Sequence, residues 1–574
     1  MSETSVQDRS RPAGGLSHVR GSGTPALDHI TIPEFLNGTV KRYAGQEAVV
    51  FCEPGMRWTW QELQEQVDRF AAGLLSLGLY KGDRIGIWSP NRPEWVIAQF
   101  ATARIGLILV NINPAYRRHE LEFALNKVGA KALISATSFK SSDYIEMLQD
   151  LAPELSGAVA GDLKASRLPK LTTIIHLGDE PVAGMYRFAD VSTMGDGANR
   201  TRLDAITESL KPDDAINIQF TSGTTGTPKG ATLTHANVVN NARYCAMAMR
   251  LNQEDRIAIP VPLYHCFGMV LGNLAAVSTG TVMVFPGEAF DPLQTLTALA
   301  DESCTAVHGV PTMFAAMLDH ERFEEFRLGS LRTGIMAGSP CPISLMKRVV
   351  SQMNASEITI AYGMTETSPV SFQSDTGDSL DRRVSTVGRI HPHVEVKIIN
   401  EAGDTVTVGE QGELLTRGYC VMKGYWGDPE TTAHAIDKDG WMHTGDLAVL
   451  DADGYCNIVG RVKDMLIRGG ENVYPREIEE FLMSHPSIQQ AQVFGVPDQK
   501  YGEEVCAWIV LKPGEVLSED DVRSFCQGEI AHYKIPRYMR FVGEFPMTVT
   551  GKPQKFVMRD KMIEELGLKV DKTA

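Results

Sequence analysis

One run constrains this chain more than any other: Thr221-Ser-Gly-Thr-Thr-Gly-Thr-Pro-Lys-Gly230, directly after the alternating segment Ala215-Ile-Asn-Ile-Gln-Phe220. The alternation predicts a half-buried strand, so the fold must end a strand in a glycine-rich loop. Glycines let backbone N–H groups close around an anion, the hydroxyls add donors, and Lys229 adds counter-charge. The run therefore predicts a phosphate cradle. It is not the loop G-x-x-x-x-G-K-[ST]. Counted from Gly223, Pro228 stands at the second glycine and Gly230 at the metal-binding hydroxyl.

Length and composition bound what surrounds that loop. A chain of 574 residues, 43% hydrophobic and 22% charged, fits a globular protein of more than one domain. Its net charge of −16 makes nucleic acids and anionic membrane surfaces poor partners, though local basic sites for an anionic cofactor remain open. The nine cysteines are scattered, odd in number and without a C-x-x-C pair, which argues against a zinc site or a disulfide framework and for a reducing cytoplasm. Between Ile257 and Gly287 there is no Asp, Glu, Lys or Arg. Pro260, Pro262, Gly268, Gly272 and Gly280 interrupt the stretch, so it predicts strand, loop, buried helix and strand, not a membrane span. The first 28 residues are rich in Ser, Gly and Arg without an apolar core. They predict a disordered tail; Arg9, Arg11 and Arg20 faintly suggest an organellar transit peptide, which Glu3 and Asp8 oppose.

Helix-like and strand-like segments alternate from residue 29 onward. Helical spacing over Trp60–Leu75 and Glu94–Ala103 alternates with apolar runs at Arg84–Trp88, Leu107–Asn111, Ala132–Ser135, Thr172–His176 and Ala306–His308. This rhythm predicts a large α/β domain of stacked sheets and helices, 29–461. After about residue 385 short strands dominate, with Asp451-Ala-Asp-Gly454 as a turn between two of them. A small mobile α+β domain, 462–574, is expected to follow. It should hold helices over Pro475–Ser484 and Ser518–His532, strands over Gln490–Gly495 and Glu504–Leu511, and a loop containing Lys552.

Four more clusters follow the loop: Ala361-Tyr-Gly-Met-Thr-Glu-Thr367, Trp441-Met-His-Thr-Gly-Asp-Leu447, Gly460-Arg461 and Pro546-Met-Thr-Val-Thr-Gly-Lys552. In order and spacing they resemble the adenylate-forming (AMP-binding) superfamily of acyl-CoA synthetases, luciferases and peptide-synthetase adenylation domains, over residues 30–568. The tail Gly469-Gly-Glu-Asn-Val-Tyr-Pro-Arg-Glu-Ile-Glu479 and His532-Tyr-Lys-Ile-Pro536 look most like the medium-chain acyl-CoA synthetases, in the branch called family member 2.

The resemblance implies a fatty acid–CoA ligase using ATP, Mg2+ and CoA. Thr221, Ser222, Gly223, Thr224, Thr225, Gly226, Thr227 and Lys229 would grip the ATP phosphates. Tyr362 would stack on adenine between Ala361 and Gly363-Met364-Thr365, with Ala337, Gly338 and Ser339 as the other wall. Glu366, beside Thr221, would hold Mg2+, and Asp446 and Arg461 the ribose. Lys552 would meet the attacking carboxylate and the α-phosphate. His265, Phe267, Met269, Gly338, Gly363 and Met364 would border the acyl group, His265 as a neighbour of substrate and not an acid–base catalyst. Gly469, Gly470, Lys500 and Lys534 would meet CoA, and Lys463 would be the hinge. Acetate-specific relatives carry a tryptophan at the place that looks like Gly363, so glycine there predicts an open acyl tunnel.

The chemistry has its own reasons. Carboxylate attack on a triphosphate brings like charges together, so cations must be fixed where negative charge gathers. An aspartate accepts from both ribose hydroxyls as no neutral side chain can. Rival readings are weaker. A peptide-synthetase domain would offer an aspartate near Tyr264–Phe267, and none is present. A luciferase-like oxygenase keeps the same adenylation site, so light emission would separate it. A silent nucleotide binder would have little use for Lys552 and Glu366. The sequence leaves the oligomeric state open, a homodimer included.

Overall fold

The computed structural model describes residues 11–195, 197–221, 228–339, 341–462, 464–468, 471–498, 501–527, 529–548 and 552–568. By its contacts the chain divides into two compact units. One takes in Arg20–Glu395 and Thr416–Met442; the other takes in Arg11–Val19, Val396–Leu415 and the chain from His443 onward.

Two large sheets make the first unit. The eight-stranded sheet runs, in spatial order, Tyr186–Arg187, Thr173–His176, Ala132–Ser135, Arg84–Trp88, Ile108–Ile112, Ala215–Thr221, Lys229–Thr234 and Gly424–Tyr425. Its central strands are parallel and buried on both faces, which is why they read as unbroken apolar runs in the sequence. The nine-stranded sheet has a parallel series from Glu47–Phe51 through Val282–Phe285, Arg256–Ala258, Ala306–Gly309 and Thr333–Ala337 to Thr359–Gly363, then Val370–Gln373 antiparallel. Helices pack between and over them. Trp60–Ser76 starts at a reciprocal cap between Thr59 and Glu62 and buries Trp60, Leu63, Val67, Phe70, Ala71 and Leu74 at helical spacing. At about 25 cal/mol per Å2 of apolar area removed from water, each of the larger side chains contributes about 1.5–3 kcal/mol.

The stretch 257–287 folds as strand, helical segment and strand, and the helical part contains a π-helical turn, Met269–Leu274. No helix among the described residues is long and apolar enough to cross a membrane.

The second unit carries the bulk of a five-stranded sheet, in the order His18–Arg20, Val394–Ile399, Gly412–Gly418, Met442–Leu450, Cys456–Arg461. It also holds a smaller sheet around the long hairpin Ile488–Asp498 and Gly502–Leu511, covered by helices Pro475–Met483 and Glu519–Cys526. The hairpin of Met442–Leu450 with Cys456–Arg461 belongs to this unit.

Two expectations need correction. Residues 11–28 are not a disordered tail. Ser17 donates through its backbone N–H to Val406 O (2.8 Å) and through its hydroxyl to Thr407 O (2.9 Å), and His18–Arg20 forms an edge strand. Further on, the Asn240 amide exchanges hydrogen bonds with the Asp28 backbone (2.8 and 2.9 Å) and Arg243 donates to Ala26 O. Order here comes from backbone pairing, which a polar sequence does not advertise. The helix expected over Ser518–His532 spans only Glu519–Cys526. A Ser518/Asp521 capping box starts it, and Gln527, followed in sequence by Gly528, turns extended.

Candidate functional site

Open α/β sheets offer ligand sites at the carboxyl ends of their parallel strands. In the first unit Thr221 closes the strand Ala215–Thr221, Ala337 closes Thr333–Ala337, and Gly363 closes Thr359–Gly363. Ala337 and Ala361 are register partners, so Gly338 and Tyr362 follow from adjacent strands. Thr221 and Lys229, which flank the glycine-rich run, are register partners on antiparallel strands. Ser222, Gly223, Thr224, Thr225, Gly226 and Thr227 lie outside the described residues.

Thr221, Lys229 and Glu366 come together. Glu366 sits in the short 3-10 turn Thr365–Thr367 and is 5% exposed. The Thr221 hydroxyl donates to its Oε1 at 3.1 Å. Sequence reasoning missed Tyr425, whose hydroxyl donates to the same Oε1 at 2.9 Å. The Lys229 Nζ lies over the Tyr425 ring, 5.2 Å from its centre. Burial first, and the Glu366 carboxylate second, push the Tyr425 phenol well above its ordinary range, so it stays a donor. The signal available was an aromatic pair between glycines, Gly424-Tyr-Trp-Gly427, which reads as a plain turn without its partners.

Glu366 Oε2 receives no hydrogen bond, and no lysine or arginine pairs with the carboxylate, among the described residues. A buried carboxylate held by two neutral hydroxyls, with one oxygen left over, fits a hard divalent cation that takes one or two carboxylates and completes its shell with phosphate and water. The donor set fits Mg2+.

Tyr362 is half-buried with its ring edge-on to Phe372 (6.1 Å), and the strand bulges between Tyr362 and Gly363. Ser368 holds the next turn in a left-handed conformation (φ 72°), its hydroxyl donating to Cys420 O at 2.6 Å. Gly363 answers to this backbone: a Cβ there would lie 1.7 Å from Pro369 O. The glycine is demanded by close approach of the chain, so by itself it does not report the depth of an acyl tunnel.

Of the expected acyl border, Phe267 and Met269 are buried, and the Phe267 ring leans on His308 at 5.2 Å. His265 is half-buried and caps its turn, its Nδ1 accepting from the Phe267 N–H. Beneath it runs a polar network. Gln219 Oε1 accepts from the Cys266 N–H (3.1 Å), while its Nε2 donates to Asn217 Oδ1 (2.9 Å) and Met269 Sδ (3.2 Å). Asn217 donates to Asn111, which donates to Tyr264 O. Burial pushes the Cys266 thiol up to about 12, so it is a packed and unreactive group.

In the second unit Asp446 and Arg461 are cross-strand partners, Arg461 Nε donating to Asp446 Oδ1 at 2.9 Å. Asp446 is buried and the Arg461 side chain 59% exposed. Lys552 is exposed in a turn closed by two bonds: its N–H donates to the Thr548 hydroxyl and its carbonyl accepts from the Thr548 N–H. Lys534, expected to meet CoA, forms an ion pair with Glu477 at 2.6 Å. Lys463, Gly469, Gly470 and Lys500 lie outside the described residues.

Known proteins match this arrangement. The family described as AMP-binding enzyme matches residues 36–426, and the AMP-binding enzyme C-terminal domain matches 477–552. YngI of Bacillus subtilis (strain 168) is 50% identical over 544 residues, covering 94% of this chain and 99% of its own. The medium-chain acyl-CoA ligase ACSF2, mitochondrial, of Danio rerio is 48% identical over 560 residues, 97% of this chain and 92% of its own. Among solved structures, the anthranilate CoA ligase AuaEII in complex with anthranoyl-AMP superposes with a TM-score of 0.81 at 26% identity, over 94% of this chain and 98% of that one. The chain belongs to the AMP-binding enzyme family, among its acyl-CoA synthetases.

Proposed function

We propose that this acyl-CoA synthetase joins a saturated medium-chain fatty acid, about six to twelve carbons long, to CoA through an acyl-adenylate. The observation that carries the adenylation reading is the meeting of Thr221, Lys229 and Glu366 at the ends of adjacent elements. The name of the zebrafish relative supports the chain length.

In the first half-reaction a carboxylate oxygen of the acid attacks the α-phosphorus of ATP, the bond to the bridging oxygen breaks, and pyrophosphate leaves. Lys229 and the loop 221–230 hold the triphosphate, Tyr362 and residues 337–339 flank the adenine, and Asp446 with Arg461 holds the ribose. Glu366, beside Thr221, would hold Mg2+, which would supply positive charge to the phosphate oxygens. Lys552 brings an ammonium to the reacting oxygens. In the second half-reaction the CoA sulfur attacks the acyl carbonyl carbon, the carbon–oxygen bond to AMP breaks, and the thiol proton passes to solvent. Residues 462–574 swing about Lys463 between the two, bringing Gly469 and Gly470 beside the pantetheine arm, where missing side chains permit close approach. Nine unbridged cysteines support a cytoplasmic location.

The test is CoA-dependent AMP production across a series of straight-chain acids. Octanoate should show a higher kcat/KM than acetate or propionate; the reverse order would overturn the medium-chain reading.

A further inference from the structure

We propose that Tyr425 is a positioning residue of the adenylation site: its hydroxyl fixes one oxygen of Glu366 while its ring seats the Lys229 ammonium, so one side chain sets both the metal carboxylate and the phosphate-loop cation. This rests on the reading of Glu366 as the metal carboxylate.

The segment that carries Tyr425 is fastened to both groups it serves. Gly424–Tyr425 pairs as an edge strand with Lys229–Thr234, Tyr425 opposite Ala231 and Gly424 opposite Thr232. The Lys423 N–H donates to Thr232 O (2.9 Å) and the Trp426 N–H to Gly230 O (2.8 Å), which ties the segment to the hairpin holding Lys229. The Met422 N–H donates to Glu366 O at 2.9 Å, so the backbone of Glu366 is held by the same segment as its carboxylate. The Thr432 hydroxyl accepts from the Tyr425 N–H at 2.9 Å and fixes the strand end. Gly424 has φ 137°, and a Cβ there would lie 2.8 Å from the Thr432 side chain, so the approach depends on glycine.

The geometry divides the carboxylate. Tyr425 and Thr221 both donate to Oε1, which orients the plane of the group and leaves Oε2 as the ligand oxygen. Groups that orient a ligating carboxylate control metal affinity without touching the metal. The ring does the corresponding work for Lys229, holding a flexible ammonium by its face.

Two substitutions separate these tasks. Tyr425→Phe removes the hydroxyl and keeps the ring; Tyr425→Leu removes both. Mn2+ binding to the complex with a non-hydrolysable ATP analogue is read by electron paramagnetic resonance, and metal-free binding of the same analogue by calorimetry in EDTA. Tyr425→Phe should weaken Mn2+ about tenfold and leave metal-free nucleotide binding within about twofold. Tyr425→Leu should weaken both. Wild-type Mn2+ affinity in Tyr425→Phe, with Glu366→Gln impaired, would overturn the proposal and leave the metal reading standing. Wild-type affinity in Glu366→Gln as well would bring down the metal reading itself.

Discussion

At the scale of single residues, the site is set by what each side chain is denied as much as by what it touches. Gly363 has no room for a methyl group, since the Pro369 carbonyl occupies the place. Gly363→Ala should therefore cost at least about 2 kcal/mol of stability, read as a lowered urea midpoint, because backbone must move. An unchanged midpoint would show that the turn yields freely and would restore Gly363 as a marker of pocket depth. Glu366, Asp446 and Lys552 stand out in the sequence because each lies in a cluster of glycines and hydroxyls that plain packing does not require. Tyr425 was not legible, because its partners Glu366 and Lys229 stand 59 and 196 residues upstream and only the sheet brings them together. The partner of Lys534, Glu477, stands 57 residues upstream and is likewise not legible from sequence.

At the scale of elements, the strand Ala215–Thr221 does two things at once. Its last residue meets Glu366, and two positions earlier Gln219 holds the Cys266 N–H at the turn that begins with His265. The phosphate loop and the proposed acyl border thus share one strand. Gln219→Met, close to it in size, would leave the Cys266 N–H and Asn217 Oδ1 unpaired in the core. The expected cost is about 1–3 kcal/mol in stability, with KM for the fatty acid raised more than KM for ATP. Equal effects on both, or none, would show that Gln219 only fills space. Periodicity located most of these elements: the helix Trp60–Ser76, the buried parallel strands and the hairpin Ile488–Asp498 with Gly502–Leu511 are where apolar spacing puts them. It missed the π-helical turn Met269–Leu274, since every residue there is buried and an all-apolar helix has no face to report its pitch. It also missed the ordered segment 11–28, whose contacts are made by backbone and not by apolar side chains.

At the scale of the whole molecule, the residues proposed to carry the chemistry fall into two compact units. Thr221, Lys229, Tyr362 and Glu366 belong to one, and Asp446, Arg461 and Lys552 to the other. Such a division suits a reaction in two steps, because a cation needed for the first can be withdrawn for the second. The overall plan was legible because the five clusters keep their order along the sequence; that the hairpin Met442–Arg461 joins strands at 396–415, well before it in the chain, was not. Measuring the two half-reactions separately in Lys552→Ala tests the account most directly. Acid-dependent pyrophosphate release should fall at least about 100-fold, while thioester formation from supplied octanoyl-AMP and CoA should stay within about threefold of the wild type. Equal loss of both half-reactions in a folded protein would contradict it.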